Sequence, residues 1–283
     1  MTVTMDRYVV AGNPVEHSQS PFIHAEFARQ TGQAMSYERL LVPLDGFADA
    51  IRALADTGVA GCNVTVPFKF DAFKLAPRHT ARATLAEAAN VLRFDANGWL
   101  ADNTDGIGLV NDIERNAGVA LAGRRVLLIG AGGAAAGALG PLLAARPAAV
   151  TVANRTTGNA LALIERHRAT AYAAALRAAT LADCGTGFDV VVNAAATSLL
   201  GAAVPVSPAV LAPGALALDM MYGPAARGFL DWAEQHGARG RDGLGMLVEQ
   251  AAAAFELWRG VRPATAPVLA VLRARMDAPR AGS

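Results

Sequence analysis

The chain has 283 residues, a formal net charge of +1 at pH 7 and 17% charged residues, so no acidic or basic field marks it for nucleic acid or a membrane surface. That length is enough for two domains, and its two cysteines, Cys62 and Cys184, lack metal or redox spacing, as for free thiols in a reducing compartment. The opening M-T-V-T-M-D-R shows no secretory pattern, and the uncharged runs 126–145 and 190–218 are broken by glycine and proline, so a cytoplasmic α/β protein is expected.

Residues 8–11 predict a short apolar strand closing at Gly12-Asn13-Pro14. His17-Ser18-Gln19-Ser20-Pro21 is polar and turn-like, and Ser20 before Pro21 predicts a side-chain cap with proline at the first helical position. Ser18 and Ser20 thus sit where a strand meets a helix, with hydroxyls free to bind a ligand; taken alone, they read as caps. Residues 37–42 predict a second strand and 44–57 an amphipathic helix. In G-C-N-V-T-V-P-F-K, Gly61 to Lys69, the polar set Asn63, Thr65 and Pro67 shares one face of a strand. Pro67 is expected to end that strand and Lys69 to open the next helix. Lys69 is either an ordinary solvated lysine or a functional one beside the aligned Asn and Thr.

Residues 80–88 predict a further helix, and Asn90 precedes a strand. Asn97-Gly98 is a hairpin signal between 91–94 and 99–101. The hairpin delivers the chain to D-N-T-D-G-I-G at 102–108, where Thr104 or Asp105 would begin a helix through Asn116. A carboxylate there can be an N-cap and nothing more.

The strongest local signal is R-R-V-L-L-I-G-A-G-G-A-A-A-G-A-L-G-P-L-L, 124–143. Residues 126–129 are continuously apolar, as in a parallel strand buried on both faces. Gly130 permits a tight turn, Gly132 omits the Cβ that would block a pyrophosphate, and Ala135 allows close helix–strand packing. The free N–H groups of a helix starting near Gly133 then face the phosphates. An ordinary βα turn is the competing reading, and the strand–turn–helix context argues against it. A second strand, 149–153, ends in Asn154-Arg155-Thr156, where such a fold meets the adenosine ribose. An NAD enzyme would carry Asp or Glu there; a guanidinium and a hydroxyl suit a 2′-phosphate, and therefore NADP. Strands at 188–192 and 215–219 end at Asn193-Ala194 and Met220-Met221-Tyr222, tails expected to face the cofactor. Asp242-Gly243-Leu244-Gly245-Met246 breaks the chain before a long helix, 247–259, in which Gln250 stands among Ala, Leu and Val. A last helix covers about 266–276.

The expected fold class is α/β. An N-terminal βα domain is followed by a Rossmann-like doubly wound domain at 105–245, and C-terminal helices return to the first, giving 1–104 plus 246–283.

Seven segments in order, G-N-P-V-E-H-S-Q-S-P-F-I-H, N-V-T-V-P-F-K, D-N-T-D-G-I-G, G-A-G-G-A, N-R-T, D-M-M-Y and D-G-L-G-M-L-V-E-Q-A, resemble the shikimate dehydrogenase family and span 8–271. The resemblance implies reversible reduction of 3-dehydroshikimate to shikimate by NADPH, in the chorismate route to aromatic amino acids. By position it implies Ser18 and Ser20 at the substrate carboxylate. Asn90, Asp105 and Gln250, with Thr65 and Tyr222, would surround its ring hydroxyls and carboxylate, and Lys69 would be the acid–base residue, paired with Asp105. It further implies Gly130, Ala131, Gly132, Gly133, Ala134, Asn154, Arg155, Thr156, Met220 and Gly243 along NADP(H). Three positions depart from the pattern: Ala136 and Asn159 stand where many members are basic, and Ala195 lacks a hydroxyl many members have. The implied partner is a small-molecule substrate, with no nucleic acid, membrane or metal, and the chain would be a monomer or homodimer. Two other readings are a quinate/shikimate dehydrogenase with relaxed polyol or cofactor choice, and a non-catalytic NADP-binding regulator; retention of both Lys69 and Asp105 counts against the second.

The chemistry is consistent with that reading. Hydride delivery to a ketone creates an alkoxide, which needs a positioned proton donor. The sequence shows no zinc-ligand cluster. The Lys69 ammonium can donate, a nearby Asp105 carboxylate would favour its charged form, and burial would oppose it.

Overall fold

The computed structural model describes residues 5–170, 176–195 and 204–278. It contains two units, Met1–Thr104 with Leu247–Ser283, and Asp105–Met246.

In the first unit β1 (Asp6–Gly12), β2 (Met35–Leu41), β3 (Gly61–Val64), β4 (Arg78–His79), β5 (Val91–Arg93) and β6 (Leu100–Asp102) form a mixed sheet in the order β2-β1-β3-β5-β6-β4. β1 runs parallel to both neighbours, and β3, β5 and β6 alternate in direction. The helices are α1 (Ser20–Thr31), α2 (Phe47–Asp56), α3 (Lys69–Leu75) and α4 (Ala81–Ala86). Val9, Ala11, Cys62 and Val64 turn one face of the sheet onto Phe47 and Ile51 of α2 and onto Phe68 and Ala72 at the start of α3. Alternation sends Tyr8 and Tyr37 to the other face. There Tyr8 stacks on Trp258 at 4.6 Å, and His24 of α1 lies flat on Tyr37 at 4.2 Å, ringed by Phe27, Phe255 and Trp258.

The second unit begins with α5 (Asp105–Asn111), which widens into a π turn, Asp112–Asn116, closed by the Ala117 N–H on the Asp112 carbonyl. Its strands, β7 (Arg125–Ile129), β8 (Ala149–Ala153), β9 (Leu176–Ala179), β10 (Phe188–Asn193), β11 (Leu211–Asp219) and β12 (Arg239–Arg241), are all parallel, in the order β12-β11-β10-β7-β8-β9. The chain builds β7 to β9 outward, returns to the middle and builds β10 to β12 the other way. This is the doubly wound order, with its switch point between β7 and β10. α6 (Gly133–Ala144), α7 (Thr157–Arg166) and α8 (Arg227–Gln235) connect the strands. Leu127, Ile129, Val191 and Ala217 share a core with Phe229 and Ala233 of α8. α9 (Leu244–Arg259) starts in this unit and continues in the first, which also holds α10 (Thr265–Asp277).

Several boundaries differ from the sequence reading. Gln19 stands at the cap of α1 without a side-chain cap bond and Ser20 is the first helical residue, so Ser20 is not the expected cap. The third strand stops at Val64 instead of Pro67, and α2 starts at Phe47 instead of Leu44. The strand expected at 215–219 extends back to Leu211 because Phe188 of β10 pairs with it. α9 starts three residues early, at Leu244, where the Asp242 carboxylate accepts the Leu244 N–H. The Arg241 guanidinium bonds both oxygens of the fully buried Asp112, at 2.8 and 2.5 Å.

Burial pulls the His24 imidazole down from 6.5 to about 3, with Asn63 opposing, and both ring nitrogens lack hydrogen-bond partners. The unfolded chain takes up this proton near pH 6.5 and the folded one only near 3. Stability is therefore full above the higher value and falls, by about 1.4 kcal/mol per pH unit, as pH drops between the two. His24→Phe keeps the ring stack and removes the titration. Wild type is expected to lose roughly 2 kcal/mol more than His24→Phe between pH 7 and 5 by urea unfolding; parallel losses would contradict this.

Candidate active site

Register decides which side chains meet at one edge of the first sheet. Ala11 pairs with Leu40 and with Val64, the Val64 N–H bonds the Asn90 carbonyl, and the Asn90 N–H bonds the Asp102 carbonyl. The turn after β1, the turn after β3, the entry to β5 and the exit from β6 therefore lie along a common edge. On it fall Ser18 and Ser20, Thr65 and Lys69, Asn90, and Asn103 with Thr104. The Thr65 N–H bonds the Ala11 carbonyl, and Lys69, half-buried, opens α3.

The Ser18 hydroxyl donates to Ser20 Oγ at 3.1 Å and accepts the Ser20 N–H at 3.3 Å. Beneath them the Tyr37 hydroxyl donates to Asn63 Oδ1 at 2.6 Å, and Asn63 Nδ2 donates to the Asn90 carbonyl at 3.1 Å. Asn90 is 3% exposed and its amide orientation is unambiguous. The Thr104 N–H can only donate, so the atom 2.8 Å from it is Oδ1, and Nδ2 faces Thr104 Oγ1 at 3.0 Å and Gln250 Oε1 at 3.1 Å. Gln250 is thereby oriented too, with Nε2 donating to the Leu247 carbonyl at 3.0 Å. The loop below is tied by Asp102, fully buried, which accepts from Thr80 Oγ1, the Asn103 N–H and the Arg82 guanidinium.

A second edge belongs to the parallel sheet. Ile129, Ala153, Asn193 and Asp219 stand level in neighbouring strands, so Gly130, Asn154, Ala194 and Met220 leave the sheet together. Gly130 has φ +107°, a conformation open to glycine, and added bulk would meet the Ala194 carbonyl. Gly132 is different: its φ of −84° suits any residue and its missing Cβ would touch nothing among the described residues. Ala131, Gly133 and Ala134 are half-buried around the α6 N-terminus, which has no side-chain cap. A phosphate-bearing cofactor fits this turn, since glycine at 132 leaves backbone N–H groups uncovered for a ligand. Past β8, Asn154 Nδ2 holds the Thr156 carbonyl at 2.9 Å. The Thr156 hydroxyl makes no cap bond, and the exposed Arg155 has no ion-pair partner among the described residues. Past β10, Asn193 Nδ2 donates to Asp219 Oδ2 at 2.9 Å, joining two strand ends. Gly243 is buried with its N–H on the Met221 carbonyl, and a Cβ there would collide with the Met220 carbonyl, while Tyr222 is half-buried.

Ser18, Ser20, Thr65, Lys69, Asn90 and Gln250 thus belong to the first unit. Asp105, buried as the first residue of α5, and Tyr222 belong to the second, with every residue expected along the cofactor. Tyr37, Arg39, Asn63 and Thr104 were not expected among the site residues. The available signal was the spacing of Tyr37 and Arg39, two residues apart on one strand face. Among the described residues no three His, Cys, Asp or Glu gather as a metal site, and no helix is long and apolar enough to cross a membrane.

A glycine turn that a phosphate would fit, at a doubly wound switch point in a chain that also carries a serine–lysine–amide edge, is the pattern of a dinucleotide-dependent oxidoreductase. Family models agree: residues 10–92 match the shikimate dehydrogenase substrate binding domain, 112–201 the shikimate / quinate 5-dehydrogenase and 243–273 the shikimate 5′-dehydrogenase C-terminal domain. A relative from Methylibium petroleiphilum, shikimate dehydrogenase (NADP(+)), is 64% identical over 96% of this chain and 95% of its own. An Ael1 enzyme from Pseudomonas putida has a similar structure, with a TM-score of 0.86 and 44% identity, covering 97% of this chain and 99% of that one. Shikimate 5-dehydrogenase from Thermus thermophilus, in complex with NADP(H) and shikimate, matches with a TM-score of 0.83 and 30% identity over 95% of this chain and 99% of that one. The chain belongs to the shikimate dehydrogenase family.

Because a Cβ at 132 meets no atom of the described residues, Gly132→Ala is expected to leave the melting temperature unchanged and weaken NADP(H) binding at least about tenfold by fluorescence titration. Unchanged affinity would show that no phosphate approaches that turn.

Proposed function

We propose that the chain catalyses the reversible NADPH-dependent reduction of 3-dehydroshikimate to shikimate. The first unit binds the substrate and the second binds NADP(H). The observation that carries this reading is the convergence of the serine pair, Lys69 and the oriented Asn90–Thr104–Gln250 group at one sheet edge, in a chain whose relatives match nearly end to end. In the same reading the chain acts in the cytoplasm as a monomer or homodimer, on a small molecule and not on nucleic acid.

Ser18 and Ser20 donate to the substrate carboxylate. Gln250 spends one amide N–H on the Leu247 carbonyl, and the other has no partner among the described residues, so it can meet a ring hydroxyl. Thr65, Asn90 and Tyr222 complete that set. Bound NADP(H) supplies or accepts the hydride, with the 2′-phosphate met by Arg155 and Thr156. Lys69 gives its proton to the oxygen of the reduced carbonyl and takes it back in the oxidation. Asp105 directly follows Thr104, which Asn90 holds by its backbone N–H, so the carboxylate starts from a fixed point. It orients the ammonium and favours its charged form.

Lys69→Ala is expected to cut turnover by roughly 10²–10⁴, the usual worth of acid–base catalysis, with little change in substrate affinity. Asp105→Asn is also expected to damage turnover, and the double variant to be little worse than Lys69→Ala, because groups acting as one unit are non-additive. Losses that multiply in steady-state kinetics would make Asp105 a substrate ligand acting independently. Near-normal turnover in Lys69→Ala would remove it as the proton donor. Arg155→Ala is expected to weaken NADPH by about 1.5–3 kcal/mol while sparing NADH; equal losses for both would mean that Arg155 does not read the phosphate.

A further inference from the structure

We propose that Arg39 is the positioning residue of the substrate-carboxylate site: it fixes the Ser18 peptide and supplies the positive charge that selects an anionic substrate over a neutral one. This rests on the serine reading above. Arg39 stands on β2, on the face that also carries Tyr37. Its Nε and Nη2 both donate to the Ser18 carbonyl, at 3.1 and 2.6 Å. The Ser18 N–H in turn donates to the Val15 carbonyl at 3.1 Å, so this peptide is held from both ends.

The guanidinium meets a neutral carbonyl, and no carboxylate pairs with it among the described residues. The nearby Glu16 carboxylate is turned onto the Val15 N–H at 3.1 Å. Among the described residues Arg39 is therefore not ion-paired, next to the Ser18 peptide and two hydroxyls where α1 opens. That helix carries no acidic residue in its first turn and no side-chain cap, so its N-terminal partial charge adds the same sign.

Proton ordering below the serines points the same way. The Asn90 carbonyl can only accept, so Asn63 must present Nδ2 to it and Oδ1 to Tyr37. The Tyr37 proton is thus committed to Asn63, and its oxygen is left as an acceptor toward Ser20. In the free site the Ser18 proton lies on Ser20 Oγ and the Ser20 proton on the Tyr37 oxygen, so a ligand acceptor takes a serine O–H by replacing one of these bonds. A carboxylate, an acceptor with negative charge, suits donors and charge together; an ester offers only the acceptors.

The test compares shikimate with its methyl ester in wild type, Arg39→Gln, Arg39→Lys and Ser18→Ala, at low and high salt. Arg39→Gln is expected to reduce the preference for shikimate over the ester by about tenfold, to keep kcat within about twofold, and to flatten the salt dependence of kcat/KM. Arg39→Lys, which keeps the charge and loses the fork, is expected to recover part of the preference. Because Arg39 is exposed, Arg39→Gln is expected to fold, checked by its melting temperature. An unchanged preference, or equal losses for acid and ester, would overturn the proposal by reducing the fork to a structural contact. Ser18→Ala tests the underlying reading separately: if it alters neither substrate, the carboxylate site itself lies elsewhere.

Discussion

The Asn90 carboxamide is the interaction on which the first unit depends. This side chain ties the chain leaving β6 and the second turn of α9 to the start of β5, while the main-chain carbonyl of the same residue holds Asn63 and Val64 of β3. Four segments distant in sequence thus meet at one residue. An apolar residue there would leave the buried Thr104 N–H unsatisfied, costing about 1–3 kcal/mol, and reduce the Thr104 hydroxyl and Gln250 Oε1 to their mutual bond at 3.3 Å. Such a network is stable only when complete. The residues that close the network, Asn90 and Gln250, are also those that the proposed function places at the substrate.

The second unit meets a different constraint. A sheet of parallel strands must have helices on both faces, and winding it both ways from the middle opens a gap at the strand ends. The structure fills its interior with Leu, Ile and Val and leaves small residues at that edge: Gly130, Ala131, Gly132 and Gly133 after β7, Ala194 after β10. Among the described residues neither conformation nor packing asks for glycine at 132, as the proposed approach of a cofactor phosphate would. Arg155 at the next strand end supplies charge where Ala136, buried at 1%, and Asn159 supply none.

The elements legible in the sequence were those whose local pattern and tertiary role agree. The apolar run 126–129 with its glycine turn, the Asn97-Gly98 hairpin and the strands ending at Asn193 and Asp219 read correctly because burial and turn chemistry are written into adjacent residues. β4, two residues long, β9, Leu-Arg-Ala-Ala, and β12, Arg-Gly-Arg, carry no such pattern; their extended form comes from the neighbour each pairs with. The π turn at Asp112 was equally hidden, since Asp112 pairs with Arg241, far along the chain. At the site, Ser18, Ser20 and Lys69 stood out as polar residues at strand–helix junctions. Arg39 did not, because a charged residue on an edge strand looks solvated until its fork is seen on Ser18. The mistaken cap at Ser20 has the same origin: proline at the second helical position moved the helix start back one residue and freed the hydroxyl.

The proposed activity is tested most directly by incubating the purified chain with shikimate and NADP(+) and following the ultraviolet absorbance of reduced nicotinamide, with quinate and NAD(+) run in parallel. The expected result is steady formation of NADPH that requires shikimate, and much slower reaction with quinate or with NAD(+). A folded chain that binds NADP(+) yet forms no NADPH from shikimate would contradict the dehydrogenase reading and favour a cofactor-binding protein without this reaction.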